Sequence, residues 1–394
     1  MFKKIICFLF IFNIFLLYSI ELKYSYRMGG ILYIETKTNF NQSLNGKFLA
    51  KGKTKEISYI QAQKIDKNWA KLISTFYLLD ERKSFENTIY KVKENKKFSY
   101  LKDYNGKTYG LELMKGFHNF LVFPKRDLKL GETWQYPAFY NVSLFGESFP
   151  KLRLDFDVFY RLLNIEEDPE KGTICNISAS AVLSYDRSKE FFKNFEIEKL
   201  LGFSNCFVKF SITEGRVVSI EETFDYTYFL ENNDLIETSG TSYTIYESPP
   251  PPKQEEIERL QEEVENATEN INVKTKADQT VSITLEKIQF KPDSAELADG
   301  ELKRLDKIAN LLKNYKSNHI IIVGHTADIG KKVAQLMLSE ERAKSVLSYL
   351  IKVHKFSQDL LSFQGKGGEE PIADNITEEG RTKNRRVEII ILQK

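Results

Sequence analysis

Ile320-Ile-Ile-Val-Gly-His-Thr-Ala-Asp-Ile-Gly330 decides how the chain is read. The unbroken apolar run Ile320 to Val323 is what a strand covered on both faces requires. Gly324 ends the strand and Gly330 closes a polar turn, and both are expected at positive φ. Leu338-Ser-Glu-Glu-Arg-Ala343 follows. Ser339 reads as the N-cap of an amphipathic helix running to about His354, with Ala343, Val346, Leu347, Leu350 and Ile351 facing inward. Arg342 then falls in the first helical turn, where unsatisfied backbone N–H groups already make the helix end positive. A guanidinium there is best accommodated beside an anion, and with the helix amides it forms a carboxylate receptor. The competing reading is a salt bridge from Arg342 to Asp328, with Glu340 and Glu341 already balancing the helix end. Thr326 and Asp328 present polar groups near the same helix start. His325 is expected to hydrogen-bond the turn backbone in preference to a ligand. Asn384-Arg-Arg-Val-Glu388 opens a last strand, whose alternation sends only one of Arg385 and Arg386 to the site.

Outward from this stretch, Val281 to Leu285 alternates as a strand. Phe290-Lys-Pro-Asp-Ser294 reads as a turn into a helix capped by Asp293 or Ser294, with the stripe Leu302, Leu305, Ile308, Ala309 and Leu312. Leu360 to Gln364 and Val387 to Leu392 read as further strands. The order β-α-β-α-β-β predicts an α/β sandwich over 281–394, with helices on one side of a mixed sheet.

The chain has 394 residues, enough for two domains, and its net charge of +2 supplies no field that argues for nucleic acid. Residues 21–247 read as an antiparallel β-rich domain. Leu152, Leu154, Phe156, Val158, Tyr160 and Leu162 alternate on one face, as do Ile177, Ala179, Ala181 and Leu183, then Cys206, Val208, Phe210 and Ile212. Gly215-Arg216 turns into a returning strand lined by Val218, Ile220, Phe224, Tyr226 and Tyr228. Leu130 to Trp134 is expected to turn into a strand, and a short helix is expected near Trp69-Ala70-Lys71-Leu72. A soluble periplasmic sheet is preferred here to an outer-membrane barrel, because segments such as Lys91 to Asn95 are densely charged.

Residues 248–280 change character. Pro249 to Pro252 favours an extended polyproline spacer. Gln254 to Ile271 is acidic, with Ile257, Leu260, Val264, Ala267 and Ile271 on one helical stripe. A solvated helix spacing two domains is preferred to a dimerisation helix over 254–271. At the other end, Met1-Phe-Lys-Lys4 and the apolar Ile5 to Ile20 have the layout of a signal peptide, with an uncleaved membrane anchor as the alternative. Export places the chain in the periplasm or at the outer membrane. There Cys175 and Cys206 are open to either a disulfide or two buried thiols. The four histidines are scattered and suggest no metal site. No cofactor is implied. The fold class is therefore α+β: an N-terminal β-rich domain, a Pro/Glu-rich helical linker and the C-terminal sandwich.

Several motifs with intact spacing carry a resemblance over 281–394. They are Phe290 through Ser294 with Leu297, Gly324-His325-Thr326, Gly330, Leu338-Ser339, Arg342-Ala343, Gly365 through Pro371, Asn375 through Thr377, Gly380-Arg381 and Asn384 through Glu388. In these the segment resembles the OmpA-like (OmpA/MotB C-terminal) peptidoglycan-binding family. The resemblance implies non-covalent, non-catalytic binding of the peptidoglycan stem peptide by Thr326, Asp328, Ser339, Arg342, Asn384 and Arg385. It implies that Arg342 contacts a carboxylate of the stem's diamino acid. The aspartate that contacts the amine in the family is replaced here by Ala327, with Asp328 one residue on, and Gln335 stands where the family commonly has Asn. The expected function is a tether joining the wall to the β-rich domain, the outer membrane or an outer-membrane protein. The alternatives are an envelope scaffold with lost or altered wall binding, and an outer-membrane pore with a periplasmic anchor.

Overall fold

Period-2 alternation governs residues 31–247. The computed structural model describes residues 19–28, 30–83, 88–110, 116–142, 152–187, 197–248, 254–267, 271–275, 280–286, 288–290 and 294–392. The expected signal-peptide core and Pro249 to Pro252 lie outside these. The N-terminal strands are β1 (Ile31–Leu44), β2 (Lys47–Ile65), β3 (Trp69–Lys83), β4 (Thr88–Asp103), β5 (Thr108–Tyr109), β6 (Gly116–His118), β7 (Thr133–Val142), β8 (Leu152–Asp168), β9 (Gly172–Asp186), β10 (Ile197–Ser211), β11 (Arg216–Leu230) and β12 (Leu235–Glu247). Each pairs antiparallel with its chain neighbour, except that β5 and β6 are not paired with each other, and β1 closes onto β12. The result is one long curved meander. Its concave core includes Leu154, Val158, Tyr160, Leu162, Ile177, Leu183, Val208 and Phe210. The outward face of β8 is Arg153, Asp155, Asp157, Phe159 and Arg161. Trp69 to Leu72, expected as a helix, begins β3, because its Ala70 and Leu72 are buried one strand pleat apart. Cys175 and Cys206 are free thiols on neighbouring strands, each pushed up to about 12 by burial.

The C-terminal region contains α1 (Gln254–Ala267), β13 (Ile271–Thr275), β14 (Val281–Leu285), α2 (Asp299–Leu312), β15 (His319–Gly324), α3 (Lys332–Lys352), β16 (Leu361–Gly365), α4 (Glu378–Asn384) and β17 (Val387–Leu392). Pairing runs β13, β14, β17, β15, β16, with β15 and β16 parallel and the other pairs antiparallel. The acidic helix α1 is not a solvated spacer. Its stripe residues Leu260 and Val264 are buried in the same core as Leu305, Ile308, Ile322 and Leu347, and β13 extends the sheet. Burying one such side chain contributes about 1.5–3 kcal/mol. A fragment covering 254–394 is therefore expected to melt well above one covering 281–394. Equal melting temperatures by circular dichroism would show that α1 and β13 add nothing.

The two-faced strand is found as expected. Ile320 and Ile322 enter the core beneath the helices, while Ile321 and Val323 point the other way. The second cover is the N-terminal sheet. Ile321, Val323, Ile390 and Leu392 pack against Tyr33, Ile57, Tyr59, Tyr77, Leu79 and Val92. β4 also pairs in parallel with β16 through Tyr90 and Lys91.

A buried polar cluster pins this junction. Lys55 Nζ lies 3.1 Å from Glu35 Oε2 and 3.4 Å from His319 Nδ1, and donates to Asp359 O at 3.1 Å. Tyr33 Oη donates to Glu35, and His319 Nε2 lies 3.0 Å from Ser362 Oγ. A lysine can only donate, so His319 accepts at Nδ1 and carries its proton on Nε2. Burial, reinforced by Lys55, holds His319 well below its ordinary pKa. Burial alone would raise Glu35, but Lys55 and Tyr33 outweigh it and hold the carboxyl at about 2.

Both shifts make the fold acid-sensitive. Below the unfolded histidine pKa of ~6.5 the unfolded chain takes up a proton that native His319 refuses, so stability falls by up to ~1.4 kcal/mol per pH unit. Glu35 adds a further loss as pH drops from ~4.3, its unfolded value, towards its folded value of about 2. Urea midpoints at pH 7.5, 6 and 5 should fall in that order, and His319→Gln should flatten the series. A flat wild-type series would contradict this.

Candidate functional site

Gly324 and Gly365 end the two parallel strands, and what they need is closeness rather than positive φ. A Cβ on Gly324 would sit 2.1 Å from Ser339 O, and one on Gly365 would sit 2.6 Å from Ser339 Oγ. The two glycines let α3 lie directly on the strand ends, which brings its Ser339 to Ala343 turn over the Gly-His-Thr loop. Gly330 does take positive φ, at +86°.

Helix α3 begins at Lys332, with Lys331 as an uncapped N-cap. Ser339 is therefore interior to the helix and Arg342 lies well past its first turn, so the helix-end amides are not part of the site. Ser339 is fully buried; its hydroxyl donates to Leu336 O (2.8 Å) and accepts from Gly367 N (2.9 Å). It fastens the 365–368 loop to α3. Asn384 ends α4 instead of opening a strand and is also fully buried. Its Oδ1 accepts from Ile372 N and Ala373 N, and its Nδ2 donates to Ala373 O and Asn375 Oδ1. Both residues stand behind the surface as framework.

The surface is cationic. Arg342 is half-buried, its guanidinium 4.7 Å from the Phe290 ring centroid, and its Nε is buried with no hydrogen-bond partner among the described residues. No carboxylate lies within ion-pair distance of it among those residues; the alternative partner Asp328 instead accepts from Gln335 Nε2 at 3.1 Å. Burial, with nearby Arg385, lowers the Arg342 pKa. Arg385 is partly exposed and bonded to Glu378 and Thr382. Arg386 points inward, where Nε and Nη2 grip Glu388 Oε1 at 3.0 and 2.7 Å, so only one of the pair reaches the surface, although both lie between α4 and β17 and not in a strand. Thr326 is buried, with its backbone N–H donating to Gly367 O at 2.8 Å and its Oγ1 without a hydrogen-bond partner among the described residues.

Behind the Gly-His-Thr turn, His325 N donates to Arg386 O at 3.0 Å, but among the described residues its ring nitrogens make no hydrogen bond to the turn backbone, contrary to expectation. Its Nε2 lies 3.3 Å from Glu388 Oε1. Burial lowers the His325 pKa against the pull of Glu388. Burial would raise Glu388, but His325 and Arg386 hold it at about 2. Ala327 is buried, while Asp328 is exposed. Gln335 binds Asp328 Oδ1, Gly330 O and Gly368 N together. Sequence reasoning did not assign Gln335 this role. At one edge, Lys91 of β4 reaches Glu340 at 2.6 Å, so the N-terminal sheet borders the site.

Residues 289–385 match the OmpA family model, so this segment is an OmpA-family domain. The peptidoglycan-binding protein ArfA of Mycobacterium bovis is 38% identical over 104 residues, 26% of this chain and 32% of ArfA. Motility protein B of Bacillus subtilis is 31% identical over 149 residues, 35% of this chain and 57% of that protein. The chain thus spans about a third of the one and little over half of the other. A solved outer membrane protein of Borrelia burgdorferi B31 is 35% identical, covering 32% of this chain and all of that one, with a TM-score of 0.27.

Proposed function

We propose that the C-terminal domain binds the peptidoglycan stem peptide, and that the chain is a non-catalytic envelope protein tethering its β-rich region to the wall. The observation that carries this is Arg342: a half-buried guanidinium with no carboxylate partner among the described residues, accompanied by a Thr326 hydroxyl that likewise has no partner among them. A desolvated cation of that kind is matched by a carboxylate, and a guanidinium fork binds one in two-pronged fashion. Arg385 adds a second positive charge, and the exposed Asp328 offers a side-chain anion for an amine on the ligand. Ser339 and Asn384 position these groups from behind. Relatives such as ArfA, named for peptidoglycan binding, support the reading.

A second reading rests on Ala327. Burial of a methyl group at the amine-contact position, with Asp328 already engaged by Gln335, supports a scaffold whose wall contact is altered. Sedimentation of the full chain with purified peptidoglycan separates the two. Saturable binding released by soluble stem peptide is expected, and no sedimentation would favour the scaffold. Modest affinity per site suffices on a polymeric wall, where repeated attachment multiplies the effect.

A further inference from the structure

The N-terminal sheet encloses a second site that wall binding leaves unused. On β1 and β2 the odd-numbered Tyr33, Ile57 and Tyr59 cover the C-terminal sheet. The even-numbered Leu32, Ile34 and Ile60 face the other way and line a cavity of about 540 Å³. That volume falls in the ~300–1,000 Å³ range of small-molecule sites. A second chamber of about 250 Å³ adjoins it, the two sharing Phe120, Ile220 and Tyr246.

The charge in the larger chamber is lopsided. Arg27, Lys102 and Arg216 line it against one carboxylate, Glu214. Arg216 is ion-paired with Glu214 at 2.6 Å and donates to Tyr246 O at 2.6 Å. Lys102 has no such answer. Its Nζ lies 3.8 Å from the Tyr24 ring centroid, and among the described residues no carboxylate is within ion-pair distance. Burial pulls its pKa down to about 8, with Asp103 opposing. An ammonium kept among apolar walls is costly unless an anion meets it.

We propose that this cavity binds a single-chain amphiphile with an anionic head, a long-chain carboxylate, its chain lying along Leu32, Ile34, Ile60 and Ile220 and its carboxylate on Lys102. The apolar lining supplies affinity for the chain, and Lys102 supplies the preference for the charged head.

The test uses the full chain, cis-parinaric acid and the methyl ester of that acid, read by fluorescence. The acid should bind saturably at one site per chain, and the ester at least about tenfold more weakly, as loss of one charged contact predicts. Lys102→Met should bring acid and ester within threefold of each other. Ala62→Phe, which fills the cavity, should weaken both, with circular dichroism confirming the fold of each variant. Absence of saturable binding by the wild type, equal binding of acid and ester, or an unchanged ratio in Lys102→Met would each overturn the proposal. Displacement of the acid by phosphatidylglycerol vesicles at lower concentration than by oleate would assign the site to a membrane lipid head group and overturn the free-acid reading.

Discussion

Glu35→Ala should destabilise the protein by about 3–5 kcal/mol, the cost of leaving one charge of a buried pair without its partner. Lys55 is 1% exposed and Glu35 4% exposed, so neither can turn to water. The substitution strands the Lys55 ammonium between His319 and the Asp359 carbonyl and removes the acceptor of the Tyr33 hydroxyl. Glu35→Gln should cost less, because the amide still accepts. The double change Glu35→Leu with Lys55→Met should recover much of the loss, since apolar replacements for a buried pair are often neutral or stabilising. Urea unfolding followed by tyrosine fluorescence measures all three. A loss below about 1 kcal/mol for Glu35→Ala would mean the junction admits water and the two sheets are not locked.

The second large effect is expected at the wall site. Arg342→Ala should weaken sedimentation with peptidoglycan by roughly 10- to 100-fold, from loss of charge-assisted hydrogen bonds worth ~1.5–3 kcal/mol. Arg342→Lys should fall between, since an ammonium cannot reproduce the planar fork. Stability should hold or rise in Arg342→Ala, because the buried Nε has no partner to lose. That pattern, weaker binding without loss of folding, separates a binding role from a structural one. Equal sedimentation of wild type and variant would remove Arg342 from the site.

Much of this architecture was legible in the residues, and the failures have physical causes. The run Ile320 to Val323 announced a strand covered twice, and the cover proved to be two different cores. Arg385 and Arg386 do divide one outside and one inside, but in the turn between α4 and β17, so strand alternation is not the cause. The start of α3 was misread because Ser339 has the chemistry of an N-cap, whereas the helix begins at Lys332 without one. Ser339 instead bonds across to Gly367, a contact no local pattern reveals. Helix α4 has only seven residues and no apolar period; its one local signal is Thr377, whose hydroxyl accepts from Gly380 N. The stripe of α1 was seen, but its acidic surface hid where it packs. The cavity charge at Lys102 is likewise invisible in sequence, since it depends on which carboxylates fail to reach it.

The central claim is that Arg342 anchors a carboxylate of the stem peptide. Calorimetric titration of the full chain with a soluble stem peptide ending in a free diamino-acid carboxylate, compared with the same peptide amidated at that carboxylate, tests it most directly. The account predicts saturable binding of the free acid and at least about tenfold weaker binding of the amide, with the difference abolished in Arg342→Ala. Equal affinity for acid and amide in the wild type would contradict it.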